Sequence, residues 1–523
     1  MDERNSREEA LVIKNGKISF VGPSAEAMEH RDQSTEIIEL NGRTAMPGFI
    51  DAHVHFVKLG VNMLGINLKT PDIKSINDIK KKVKEQVLAT RNGKWIRGWG
   101  YDHSKLAENR HPTRRDLDEV SPEKPVVLTR TCGHIAVANS KALELAGISE
   151  EVNDPPGGKF GRENNKLNGV LYEAAQDRIL EASDYSFEEY KEGVRVAANE
   201  LLKNGITSVH DEGIRGRIGT QALLEACLFE DLPIRVYLSA ASILGSKLGD
   251  YFLETGLITG FGNSKIRIGA YKVMIDGSSS GPTCATREPY SSDPENTGIL
   301  YYTQEELNAL VEKAYHSKFQ ISAHCVGDKA IEMMLNALEK VYEKYPSKKN
   351  QDIRPRIEHC AICPPDLVSK IKKLHAVPIV QPAWFNEFGD GYLRNYGKER
   401  VENMFPMNSF IKNKIIVAMS TDSPVTSYDP FMNLYEAITR VSSSCQSCGQ
   451  NETIGLDEAL RAYTFGGAYA SFQENELGSL EEGKFADVIV LSRNIMQMQA
   501  SEIKDTKVDF TIFGGMTVYQ RKD

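Results

Sequence analysis

Between residues 46 and 420 the chain repeats one rhythm eight times: a short apolar, β-rich run, then in most cases a stretch of helical periodicity. The runs cover residues 46–56, 205–210, 234–240, 266–275, 320–326, 356–360, 377–384 and 415–420. Helical patterns such as 187–204 and 328–345 fall between them. Strands alternating with helices favour a parallel sheet covered on both faces, and eight such units favour closure into a (β/α)8 barrel of the TIM type. An open doubly wound sheet is the main rival. It loses ground because no G-x-G-x-x-G follows an early strand.

The spacing is uneven in one place. Roughly 150 residues separate the first run from the second, where a crossover needs only a few tens. A segment of about 60–195 is therefore an insertion with its own structure. It leaves from the C-terminal mouth of the barrel, where active sites lie, and is expected to cap a substrate. Both ends of the chain read as β. Ala10-Leu11-Val12-Ile13 leads into Asn15-Gly16, a strong hairpin signal, and 485–491 reads as a buried strand ahead of a second hairpin around Gly514-Gly515. Paired with each other, residues 1–46 and 477–523 would form a small, sandwich-like β domain beside a barrel of residues 47–476.

Composition excludes several classes. With 63 basic against 72 acidic residues the net charge is −9, so no basic face is expected for phosphate backbones and nucleic-acid binding is not the main task. No run of about 18 apolar residues exists to span a bilayer. The polar, acidic start lacks the pattern of a secretory signal. Eight cysteines are too few for a disulfide scaffold in 523 residues, and a reducing cytoplasm is the expected location. Cys445 and Cys448 invite a zinc or redox reading, but Cys360 and Cys363 lie too far away for a zinc ribbon, so a plain loop is expected there.

Chemistry concentrates at the strand ends. In the first run, His53-Val54-His55 puts two imidazoles on one face of a strand, where their nitrogens can share one metal ion. The fifth run ends Ala323-His324, the sixth Glu358-His359 and the eighth leads into Thr421-Asp422. Each alone reads as a satisfied core histidine or an N-cap aspartate. Together, at four strand ends in an order that closes one ring, they read as a site. Lys272 lies in the fourth run. Burial and nearby cations favour its neutral amine, which can take up carbon dioxide as a carbamate and bridge two metals; the alternative is a lysine paired with Asp276 or another carboxylate.

The order H-x-H, Lys, His, His, Asp resembles the amidohydrolase superfamily, and more narrowly its YtcJ-like branch, which includes N-substituted formamide deformylase. The segments that carry the resemblance are PGFIDAHVHF (47–56), NGITSVHDEG (204–213), KVMIDG (272–277), SAHCVGDKA (322–330), RIEHC (356–360), STDSPV (420–425) and EEGKFADVIVL (481–491). The resemblance implies that His53, His55 and Asp422 hold one metal and His324 and His359 the other, with carboxylated Lys272 between them. Two cations would give a bridging hydroxide near neutral pH and polarise the substrate carbonyl. Asp422 would shuttle the proton to the leaving amine. Two zinc ions per chain fit the nitrogen and oxygen ligands; manganese, iron and nickel would also bind them.

The implied activity is hydrolysis of a non-peptide C–N bond in a small molecule: an amide, a formamide or another N-acyl compound. Within the insertion, the branch's similar segments imply that Asp102, His103 and His134 face the substrate. Glu173 and His210 are further candidates for substrate contact, His210 equally for a place behind the ligands. The loop 278–287 departs from the branch's usual pattern and reads either as an anion-binding loop or as a flexible one. Two rival activities stay open: a single-metal deaminase of an amino-substituted ring, in which Lys272 needs no carbamate, and a non-catalytic regulatory protein on the same scaffold. Similar proteins are often homodimers, though no surface patch for one can be read from the sequence.

Overall fold

The computed structural model describes residues 5–69, 72–91, 93–131, 133, 135–243, 246–346 and 352–522. Eight parallel strands lie side by side in chain order: β1 (Phe49–Val54), β2 (Ile206–Ile214), β3 (Arg235–Ile243), β4 (Ile266–Met274), β5 (Ile321–Cys325), β6 (Arg356–His359), β7 (Val377–Val380) and β8 (Ala418–Met419). The first and last are joined by the chain just beyond β8. Asp422 N–H donates to His53 O at 2.8 Å, and His55 N–H donates to Ser423 O at 2.9 Å. Buried Asp51 fastens the same seam by accepting from the Thr421 N–H at 2.9 Å and from its hydroxyl at 2.5 Å. The result is a (β/α)8 barrel, as the eightfold rhythm predicts.

Each strand is buried along its length because helices cover the outside of the sheet. The helix Asp328–Lys344 shows why: Ile331, Met334, Leu335, Leu338 and Val341 are buried at helical spacing and form a single apolar stripe. The first, seventh and eighth runs give shorter barrel strands than their sequence suggests; the first is split, with Ala45–Pro47 in another sheet and Phe49–Val54 in the barrel. The seventh stops at Val380, since Pro382 removes a ladder donor and Trp384 already opens the helix Trp384–Glu402. The eighth is reduced to Ala418–Met419.

The register sets the level of the functional residues. Lys272 on β4 pairs with Ser322 on β5, which pairs with Arg356 on β6; one step further on, Met274 pairs with His324 and His324 with Glu358. Side chains from three strands are thereby stacked in two layers at the C-terminal end of the sheet.

Strands from both ends of the chain join in an antiparallel sheet ordered Met516–Gln520, Val508–Phe513, Val488–Leu491, Ala45–Pro47. A separate hairpin, Ala10–Lys14 with Lys17–Gly22, turns on Asn15 and Gly16 at φ 52° and 76°, as a two-residue turn of this hand requires. It is tied to the C-terminal segment by Ile18 N–H to Lys484 O and Ala486 N–H to Gly16 O, each 2.9 Å. Arg235, at the start of β3, makes a bidentate pair with Asp487 at 2.6 and 2.9 Å, and both are buried. The aromatic rings of Phe485 and Phe513 cover this guanidinium.

Two compact units make up the chain: Met1–Phe56 with Ala198–Asp523, which holds the barrel and the terminal strands, and Val57–Ala197. The second contains a six-stranded mixed sheet ordered Ile66–Asn67, Ile96–Tyr101, Val126–Arg130, Ile135–Ala138, Lys166–Glu173, Gly158–Glu163. Apolar clusters form around Ile79, Val83, Leu117 and Leu128 and around Ala136, Leu143, Phe160 and Leu171. Within the same unit two helices touch backbone to backbone at Gly60 and Gly193, where a Cβ on Gly60 would lie 2.3 Å from Gly193 O. Among the described residues no helix is long and apolar enough to cross a membrane.

Candidate metal centre

His53 and His55 stand at the end of β1, and Asp422 follows β8 with a backbone φ of 55°. The seam bonds described above bring the three together. His53 Nε2 and His55 Nε2 each lie 3.3 Å from Asp422 Oδ1, and one ligand atom of each residue falls within 4.8 Å of the others. That is the spacing at which three donors share one divalent cation. Burial opposes charge on Asp422, but the imidazoles of His53 and His55 hold its carboxyl well below the usual carboxylate range. Its buried Oδ1 has no well-directed hydrogen bond among the described residues.

Beside this trio, the ring of His359 lies 4.8 Å from that of His53 and 4.5 Å from that of His324. Hydrogen bonds fix which nitrogen each can offer. His324 Nε2 is 3.0 Å from Gly277 O; a carbonyl only accepts, so Nε2 carries the proton and Nδ1 keeps the lone pair a metal would need. His359 Nδ1 is 3.0 Å from Gln381 Oε1, and Gln381 Nε2 donates to Ser420 at 2.7 Å, which fixes the amide orientation. His359 therefore donates from Nδ1 and presents Nε2. Burial pushes His324 down to about 4 and His359 well below the ordinary histidine value, so both are neutral at neutral pH, the form a metal requires. His53 differs. Burial and Lys272 oppose a charge on it, yet contacts with Asp422 and Glu358 raise its pKa to about 9, and a cation at Nε2 would replace that proton.

Lys272 is buried at the same level. Its Nζ has no hydrogen-bond partner among the described residues and lies 3.7 Å from Glu212 Oε2. Asp276, the carboxylate nearest in sequence, is occupied elsewhere: it accepts from the N–H groups of Val326, Gly327 and Ala285 at 3.0, 2.8 and 3.0 Å. Below the histidines runs a buried polar floor. Arg356 donates to Glu358 Oε1 at 2.7 Å and lies 3.1 Å from Glu212 Oε1; Ser322 Oγ is within 2.9 Å of Glu212 and 2.8 Å of Glu358. His53, Glu212 and Glu358 also satisfy metal-ligand spacing. Arg356 lies against both carboxylates, with Lys272 Nζ 3.7 Å from Glu212 and His53 Nδ1 2.6 Å from Glu358, so protein groups already occupy that position and a cation does not belong there.

The donor set of the upper site fits divalent metal. Four histidines and a carboxylate converge, one carboxylate oxygen and one amine are buried without hydrogen-bond partners among the described residues, and two of the imidazoles are held neutral.

Glu212, Glu358, Arg356 and Gln381 are absent from the sequence-derived site. For the first three the signal was polar alternation inside a buried run, His210 with Glu212 and Arg356 with Glu358 at period 2; Gln381 carries no such signal.

Asp102 caps the short turn His103–Lys105 through Ser104 and accepts from Arg130 at 2.8 Å; Arg130 also donates to His103 Nδ1 at 3.1 Å. His103 stacks on His111 with ring centres 4.0 Å apart. Glu173 is exposed at the end of Lys166–Glu173, with φ 49°. His134 lies outside the described residues. His210 is fully buried, with Nδ1 accepting from Arg356 at 2.9 Å, which makes it part of the buried polar floor. Residues 278–287 are pinned rather than loose: Ser279 Oγ bonds Tyr392, Tyr396 donates to Ser279 O, and Arg287 N–H donates to Asp328.

A family model described as "Amidohydrolase family" matches residues 36–519. The chain belongs to the amidohydrolase family, a class of metal-dependent hydrolases. It is 28% identical to YtcJ of Bacillus subtilis (strain 168), which bears an amidohydrolase name, over 100% of this chain and 98% of that protein. It is 27% identical to the N-substituted formamide deformylase of Arthrobacter pascens, over 100% of this chain and 96% of that one. Among solved structures, an uncharacterized metal-dependent hydrolase from Pyrococcus furiosus superimposes with a TM-score of 0.76 at 28% identity, covering 92% of this chain and 95% of that one.

Proposed function

We propose that the chain hydrolyses a non-peptide C–N bond, of the amide, formamide or N-acyl kind, in a small molecule. One observation carries the reading: His53, His55 and Asp422 offer ligand atoms within 4.8 Å of one another, with Lys272, His324 and His359 reaching the same end of the barrel from β4, β5 and β6. Full-length likeness to an N-substituted formamide deformylase supports the bond type.

In this reading His53, His55 and Asp422 would hold one divalent ion and His324 and His359 a second, and Lys272, as a carbamate, would add an anionic ligand. Bound ions of this kind acidify water and polarise a carbonyl. The remaining work belongs to the chain. Asp422, ionised at neutral pH, accepts a proton from the attacking water and returns it to the leaving nitrogen, since amine departure from a tetrahedral centre requires protonation. His324 and His359 hold their ligand nitrogens in fixed directions through Gly277 and Gln381. Asp102 and His103, both in the unit Val57–Ala197, are the residues proposed for substrate contact.

A second reading has a specific observation in its favour. Lys272 Nζ lies 3.7 Å from Glu212, so an ammonium–carboxylate pair competes with the carbamate and would leave a single-metal deaminase. The test is a substrate panel on zinc-loaded protein, pairing N-substituted formamides and N-acyl amines with amino-substituted heterocycles. Release of formate or carboxylate, abolished by chelation and restored by zinc, is the expected result. Ammonia release from the heterocycles alone would overturn the proposal in favour of the deaminase.

A further inference from the structure

The segment Arg356-Ile357-Glu358-His359 enters the reading above only through its histidine. Glu358 is fully buried, and its Oε2 lies 2.6 Å from His53 Nδ1, across the barrel from β6 to β1. An ionised carboxylate only accepts, so at this distance Nδ1 carries the proton and Nε2 is left facing Asp422. Glu358 is itself held on its other oxygen by Arg356 Nε at 2.7 Å and Ser322 Oγ at 2.8 Å. Arg356 is anchored in turn on Ala52 O at 2.6 Å, one residue before His53. The carboxylate thus has no freedom to follow a rotating imidazole, and the imidazole none to turn away from it.

From this geometry we infer that Glu358 is a positioning residue for the metal centre: it fixes the tautomer and ring orientation of His53, so that β6 supplies one ligand, His359, and orients another on β1. The inference rests on the proposed ligand role of His53. A carboxylate behind a ligating imidazole raises the basicity of the ligand nitrogen and removes rotational freedom, and loss of such a partner typically weakens metal binding by about 10–100-fold. Gln381 serves His359 and Gly277 serves His324 with neutral acceptors. Of the three, His53 has a carboxylate at hydrogen-bond distance, whereas Asp276 Oδ1 lies 3.7 Å from His324 Nε2, so the largest penalty is expected at Glu358.

The test measures zinc dissociation constants by competition with a chromophoric chelator for the parent, Glu358→Gln and Ser322→Ala. Glu358→Gln should weaken one site by about 10–100-fold while zinc bound at saturation stays at the parent count, and Ser322→Ala should weaken it less. A dissociation constant within twofold of the parent in Glu358→Gln overturns the inference. Should Glu358→Gln fail to fold, the parent still decides. In zinc-loaded protein with ¹⁵N-labelled histidine, His53 must show a protonated Nδ1 and a metallated Nε2, and the reverse assignment overturns it. Failure of the parent to bind zinc at all would instead sink the metal reading on which this one rests.

Discussion

Asp422→Asn should abolish turnover while leaving the barrel folded. The amide keeps the shape of the side chain but removes the charge that both β1 imidazoles face at 3.3 Å, and it cannot accept a proton. Loss of a positioned general base alone lowers rate by about 10²–10⁴-fold. Loss of an anionic ligand should add to that by emptying the His53–His55 position, so ions per chain should fall along with kcat. The check is kcat/KM on the substrate that the panel returns, together with elemental analysis of the same preparation. Activity within tenfold of the parent at full metal content would remove Asp422 from both roles. Its direct backbone bond to His53 O does not depend on the side chain, so a folding defect is not expected to obscure the result.

The second large effect is on stability. Arg356 is completely buried and its guanidinium serves Glu358, Glu212, Ala52 O and His210 at once. Arg356→Ala leaves two buried carboxylates facing each other with their main counter-charge gone, a change that costs about 3–5 kcal/mol when a buried pair is broken from one side. The midpoint of urea unfolding should drop accordingly. The double variant Arg356→Ala/Glu212→Gln separates charge from packing. If uncompensated charge is the cause, the second substitution restores part of the loss; if the double variant is as unstable as the sum of the two singles, the loss is one of packing. Retention of parental stability by Arg356→Ala would contradict the account of the floor.

Much of this architecture could be read before any coordinates. The barrel was legible because each strand is buried on both faces and so reads as an apolar run, and because helices such as Asp328–Lys344 keep their apolar residues at helical spacing. Asn15-Gly16 and Gly514-Gly515 announced their hairpins because few other residues accept two consecutive positive φ values. β8 was harder, since only two of its residues pair and the closure passes to the backbone of Asp422 and Ser423.

His53, His55, His324, His359, Lys272 and Asp422 stood out as chemistry-bearing side chains at strand ends. Glu212, Glu358 and Gln381 did not, because their meaning lies in partners on other strands. Glu358 meets a histidine 305 residues away, and nothing local marks that contact. Lys272 is the converse case: its residue type suggested a carbamate, while the distance to Glu212 that competes with it became visible only with β2 and β4 in register with β3.

The proposed metal centre of two ions, held by these six residues and bridged through Lys272, can be counted by elemental analysis. Parent protein, loaded with zinc in the presence of bicarbonate and desalted, should carry about two ions per chain, and Lys272→Ala about one or fewer. One ion per chain, unchanged in Lys272→Ala, would contradict the bridged pair and leave the His53–His55–Asp422 trio as a single-metal site.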